Sequence, residues 1–185
     1  MSRQFWTETL TWATSSGTAV SNTTTETILF PNVTIPANYM QDGRSLLTWA
    51  FGQYGITATP TILVSQRWGG VGGTLLAKSA TITTVAVTGT PVWQLESWIT
   101  TRTNGSSGTL MANGTFIIWS GATETMASAT GAPGVSAFTN GGTTTPATAS
   151  VDLTADTAFS STVTWGTSSS SNSTTGLQYY IVGLN

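Results

Sequence analysis

Arg44-Ser-Leu-Leu-Thr-Trp-Ala-Phe-Gly52 carries the pattern on which the fold turns. Leu47, Trp49 and Phe51 fall on one side of a two-residue period, and Leu46, Thr48 and Ala50 on the other. Successive side chains of a strand point to opposite faces, so this segment is apolar on both, as expected of a strand in the middle of a sheet. A helix fits poorly, because β-branched and aromatic residues suit a pleated surface and no apolar stripe recurs at 3.6 residues.

The same period spreads outward from this segment. Phe5 to Trp12 alternates aromatic or aliphatic residues with Thr and Glu, as a half-exposed strand or arm would. Thr27 to Phe30 stops at Pro31, which has no N–H to give a ladder. Ile35 to Gly43 reads as an irregular connection. Pro60 opens a strand in which Ile62, Val64, Gln66 and Trp68 alternate with Leu63, Ser65 and Arg67. Gly69-Gly-Val-Gly-Gly73 then turns the chain toward Thr74–Ala77.

Val92–Thr101 sets Trp93, Leu95 and Ile99 against Gln94, Glu96 and Trp98. Asn113-Gly114 is the strongest local turn signal, suiting the two positive φ angles of a type I′ hairpin between Gly108–Ala112 and Thr115–Trp119. Gly121 to Thr148 reads as a long loop with one short strand near Val135. Val151–Leu153, Phe159–Trp165 and Leu177–Leu184 complete the strands, with Ser168–Gly176 as the last connecting loop. The expected fold is all-β, an antiparallel two-sheet sandwich of jelly-roll type with about eight to ten strands. Residues 1–30 are expected to form an N-terminal arm and first strand, and residues 31–185 a single sandwich domain.

Composition narrows the chemistry. The 185 residues include no histidine, no cysteine, five basic and seven acidic side chains, with a net charge of −2. Histidine, cysteine and clustered carboxylates supply most general bases, nucleophiles and metal ligands. The acids Glu8, Glu26, Asp42, Glu96, Glu124, Asp152 and Asp156 are scattered, so no enzyme, cofactor or metal site is expected. Asp152 and Asp156 are close in sequence but read as a strand ending in a turn, where Asp bonds its own backbone. Gly69–Gly73 lacks the Gly-Lys-Ser/Thr ending of a phosphate loop. Arg67 facing an acid, and Glu96 near Arg102, are expected to be structural ion pairs.

Arg3, Arg44, Arg67, Lys78 and Arg102 form no basic cluster, so nucleic acid is not an expected partner. No apolar run reaches the length of a membrane span, and the opening residues do not read as a secretion signal, so a soluble protein made in a cytosol is expected. A domain of this size buries about 70% of its unfolded surface without disulfides.

Eight tryptophans remain to be placed. Trp49, Trp68, Trp93, Trp119 and Trp165 occupy apolar strand positions and are expected to fill the core. A carbohydrate platform of exposed indoles is the competing use. Trp6 and Trp12 flank the first run, where they either pack under their own domain or anchor the arm to a neighbouring subunit. The second use is favoured.

Several motifs, taken in order, resemble virion proteins of tailed bacteriophages: Thr24-Thr-Glu26-Thr-Ile28, Ile35-Pro-Ala-Asn38, Thr59-Pro-Thr61, Arg67-Trp-Gly-Gly70, Trp93-Gln-Leu-Glu96, Arg102-Thr-Asn-Gly105-Ser-Ser-Gly108, Val163-Thr-Trp165, Ser171–Thr175 and Leu177-Gln178. The resemblance implies a jelly-roll subunit that trimerises and decorates the exterior of the phage head, clamping the major capsid protein, after synthesis in the host bacterial cytoplasm. A tail, fibre or baseplate component, or a glycan-binding jelly-roll module, are the alternatives. No coiled-coil or shaft repeat extends from the domain, which favours decoration over fibre.

Overall fold

A computed structural model describes residues 6–86, 89–119, 134–140 and 147–185. Two antiparallel sheets pack face to face as a sandwich, and no helix occurs among the described residues. The larger sheet contains β1 (Thr7–Trp12), β2 (Val20–Ser21), β5 (Ser45–Gly55), β9 (Val92–Thr103), β10 (Gly108–Ile118), β11 (Val135–Ala137), β12 (Thr148–Val151) and β14 (Ser173–Leu184). Its order is β1-β14-β5-β9-β10-β11, with β2 also on β14 and β12 also on β10. The smaller sheet contains β3 (Thr27–Ile28), β4 (Val33–Ile35), β6 (Thr61–Trp68), β7 (Thr74–Lys78), β8 (Ile82–Thr83) and β13 (Thr157–Trp165). Its order is β3-β13-β6-β7, with β4 also on β13 and β8 also on β6.

The core lies between the inner faces. Leu46 and Ala50 from β5, Leu95 and Ile99 from β9, Phe116 from β10 and Ile181 from β14 meet Ile62, Val64, Phe159, Val163 and Trp165 from the smaller sheet. Phe30 stacks on Tyr179 at 4.3 Å between ring centroids and meets the edge of Trp93 at 6.3 Å, closing one end of the sandwich. Inside this apolar layer, Ser97 donates to Oε1 of Gln66 at 2.8 Å, so a side-chain hydrogen bond joins β9 to β6 across the two sheets.

As expected, β5 is central, lying between β14 and β9, and the glycines at 69–73 turn β6 into β7. A short strand does form at Val135–Ala137, while the remainder of the expected 121–148 loop lies largely outside the described residues. Among the described residues there are fourteen strands where eight to ten were anticipated, because two-residue strands such as β2, β3 and β8 are too short for a period to register.

The Asn113-Gly114 turn is not formed. Both residues lie inside β10, opposite Trp98 and Ser97 of β9. The hairpin reverses instead near Gly105, which has φ +99°. Glycine at 114 answers a different demand: a Cβ there would run into the carbonyl oxygen of Glu96 on the neighbouring strand. Ser168–Gly176 is also corrected, since β14 begins at Ser173 and pairs with Gly55 from that point. The described part of residues 1–30 is woven into both sheets, β1 and β2 on β14 and β3 on β13.

Candidate interaction surface

The outer face of the larger sheet carries an aromatic band that follows from strand register. Trp12 of β1 lies opposite Tyr180 of β14, and Tyr180 lies opposite Trp49 of β5. The Trp12 and Tyr180 rings stack at 5.4 Å, and Trp49 meets Tyr180 edge-on at 5.8 Å. Trp49 is in turn opposite Glu96 of β9, and Glu96 opposite Thr115 of β10. One row therefore crosses five strands as Trp12, Tyr180, Trp49, Glu96 and Thr115. A parallel row places Val182, Leu47, Trp98 and Asn113 side by side.

Trp12 is 66% exposed and Trp98 40%, while Trp49 and Tyr180 are half-buried by their neighbours. This corrects the expectation for Trp49: since Leu46, Thr48 and Ala50 face the second sheet, their alternates must face out. Trp68, Trp93 and Trp165 are buried as expected, and Trp119 is half-buried. Tyr180 escaped the sequence reading, although adjacent Tyr179 and Tyr180 in one strand cannot both face inward. Tyr179 is the buried one, and burial pushes its hydroxyl pKa far upward.

The start of β1 is clasped to its own domain. Arg44 lies over the Trp6 ring at 4.5 Å and over the Tyr39 ring at 3.7 Å. Its Nη2 approaches Glu8 at 3.4 Å, and Tyr39 donates its hydroxyl to the same carboxylate at 3.0 Å. Burial, reinforced by the bond to Glu8 and opposed by the Arg44 charge, pushes Tyr39 up to about 12. Trp6 thus packs on its own chain, whereas Trp12 keeps most of its surface free. Beyond Trp12, the chain from Thr11 to Thr18 and the segment Ile28–Asn32 enclose a groove of about 530 Å³ with Tyr179 among its walls.

The smaller sheet presents a different outer face. Arg67 grips Glu26 through two hydrogen bonds, Nε to Oε1 at 2.6 Å and Nη2 to Oε2 at 2.8 Å, and Thr162 adds a third to Oε1 at 2.5 Å. Burial pulls the Glu26 carboxyl upward, but the Arg67 and Thr162 hydrogen bonds and the Arg67 charge outweigh it, leaving the pKa lowered. This is the acid that Arg67 was expected to face. Glu96 and Arg102 do not pair: Arg102 reaches the Met111 sulfur instead, and Glu96 has no ion-pair or hydrogen-bond partner for its side chain among the described residues.

Asp152 accepts from the backbone N–H and hydroxyl of Thr154 at 2.8 and 2.6 Å, as its turn position predicted. Those bonds hold its carboxyl below the usual range. Asp156 accepts from the Ala37 N–H at 2.8 Å. Both carboxylates are thus engaged in holding backbone. Among the described residues no three acids gather as a metal site would require. What the molecule offers is a broad sheet face with exposed indoles. No family model, curated protein or solved structure matches this chain.

Proposed function

We propose that this chain is a non-enzymatic structural protein of a tailed-phage virion, a decoration protein that binds the outer surface of the head as a homotrimer and stabilises it. The observation that carries the reading is the outward band Trp12–Tyr180–Trp49, held at fixed spacing on a sheet whose other face is locked into the core. Aromatic side chains that are rigid, partly exposed and aligned are the anchors from which protein interfaces draw most of their energy. Symmetric copies multiply such contacts into avidity on a repeating shell.

The order of the strands supports a jelly-roll wiring. The chain visits the smaller sheet for β3 and β4, the larger for β5, the smaller for β6 to β8, the larger for β9 to β12, the smaller for β13 and the larger for β14. Such alternation between two sheets is characteristic of paired Greek keys. The resemblance of the ordered motifs from Thr24 to Gln178 to phage virion proteins favours that location. Among the described residues Arg44 and Arg67 are held in ion pairs with Glu8 and Glu26, which counts against a basic surface for nucleic acid.

Copy number in purified particles tests the proposal. Abundance comparable to the major capsid subunit supports decoration of the lattice. A few copies per particle would move the protein to the tail, fibre or baseplate, and absence from particles would overturn the virion reading.

A further inference from the structure

We infer that the outer face of the β9–β10 pair binds a neutral saccharide, with Trp98 as stacking platform and Glu96, Asn113 and Thr115 as hydrogen-bonding groups. These side chains form a two-by-two block: Glu96 faces Thr115 across the strand pair, and Trp98 faces Asn113. The same four residues, with Gly114 between them, line a shallow concavity on the outer face. Trp49 and Leu47 border the block on the β5 side.

The mixture of groups selects the ligand. Glu96 and Asn113 are exposed, and neither side chain has a hydrogen-bond partner among the described residues. Neither is needed to hold β9 against β10, which the backbone ladder already does. An apolar protein face laid over this block would strip water from an unpaired carboxylate, and that cost exceeds what the indole contact returns. A sugar ring avoids it. Its C–H face lies on the indole while its hydroxyls donate to the Glu96 carboxylate and the Asn113 carbonyl, and accept from the Asn113 amide and the Thr115 hydroxyl.

Size and charge refine the class. Same-face neighbours lie about 7 Å apart along a strand and about 5 Å apart between strands, so the block accommodates a single pyranose unit. The only charge within it is negative, which disfavours uronates, sialic acids and phosphates. Arg102 lies four residues further along β9, about 13 Å away, and is turned to Met111. A one-ring contact in an open dish predicts weak binding by each subunit, with a dissociation constant near 1 mM. Several copies on one particle would raise the effective affinity.

The test titrates the full chain, by tryptophan fluorescence and calorimetry, with neutral oligomers of glucose (α- and β-linked), galactose and N-acetylglucosamine, and with polygalacturonate as an anionic comparator. The expected result is binding of at least one neutral oligomer. Trp98→Ala should weaken it at least about tenfold, and Glu96→Gln or Asn113→Ala about three- to tenfold, each variant still unfolding in one cooperative transition. Trp12→Ala should leave it unaltered. Failure of every neutral oligomer at about 10 mM would overturn the site. So would preference for polygalacturonate, or binding that survives Trp98→Ala but is lost in Trp12→Ala.

Discussion

Trp12 and Tyr180 stack across the β1–β14 pair at 5.4 Å and 25° between ring planes, yet Trp12 remains 66% exposed. The indole therefore fastens the edge strand to the sheet with one face and leaves the rest of its surface to solvent. Trp12→Ala should cost about 0.5–1.5 kcal/mol in urea unfolding, the worth of an aromatic pair beyond its area. The variant should stay folded and fail to co-sediment with purified phage heads. Co-sedimentation equal to that of the wild type would remove Trp12 from the proposed contact.

The Glu26–Arg67 grip predicts an acid limb in stability. The folded pKa of Glu26 lies below its unfolded value of 4.5, so its contribution is present above that pH and is lost as pH falls through the folded value. Arg67→Met should destabilise the protein by about 1–3 kcal/mol at neutral pH, because a half-buried carboxylate loses its charged partner. The difference between variant and wild type should shrink as the pH drops below 4.5. A difference that stays constant from pH 7 to pH 3 would contradict the assignment, with chemical denaturation as the readout.

Gly114 distinguishes a strand from a turn. In β10 an added Cβ meets the Glu96 carbonyl, so Gly114→Ala should cost about 1–3 kcal/mol through backbone displacement. Asn113→Ala, at an exposed position beside it, should change stability by less than about 0.5 kcal/mol. A type I′ turn at this place would make Asn113 matter as well, because its positive φ suits Asn better than Ala. Melting temperatures of the two variants decide between these outcomes.

Ser97 and Gln66 form a buried pair across the two sheets, and the Gln66 Nε2 has no hydrogen-bond partner among the described residues. Ser97→Ala should destabilise by about 1–3 kcal/mol, since Gln66 is then left with neither of its polar atoms matched. Adding Gln66→Met to that background should recover most of the loss by removing the stranded amide. A double variant no more stable than Ser97→Ala alone would show that the pair is not coupled in this way.

Which parts of the fold were legible follows from what a period can carry. Alternation in Ser45–Gly55, Thr61–Trp68 and Thr157–Trp165 marks strands by itself, because a two-residue repeat is a property of the backbone. The doubly apolar face of β5 also announced a central strand. Local signals failed where pairing partners overruled them. Asn113-Gly114 suits a turn in isolation, but the ladder to Trp98 and Ser97 extends β10 through it. Ser173 to Gly176 resembles a polar loop until Gly55 to Gly52 lie beside it.

The candidate surface was the least legible feature. By itself the sequence determined an all-β chain, a central β5, an Arg67 seeking an acid, and a supply of aromatics without the side chains of common catalysis. Only the tertiary structure decided that Leu46, Thr48 and Ala50 face inward, that Trp49 therefore faces out, and that Trp12, Tyr180 and Trp98 share its face. The physical reason is that period two separates two faces but does not say which one the second sheet will cover. When both are apolar, that choice is made by contacts far apart in the chain.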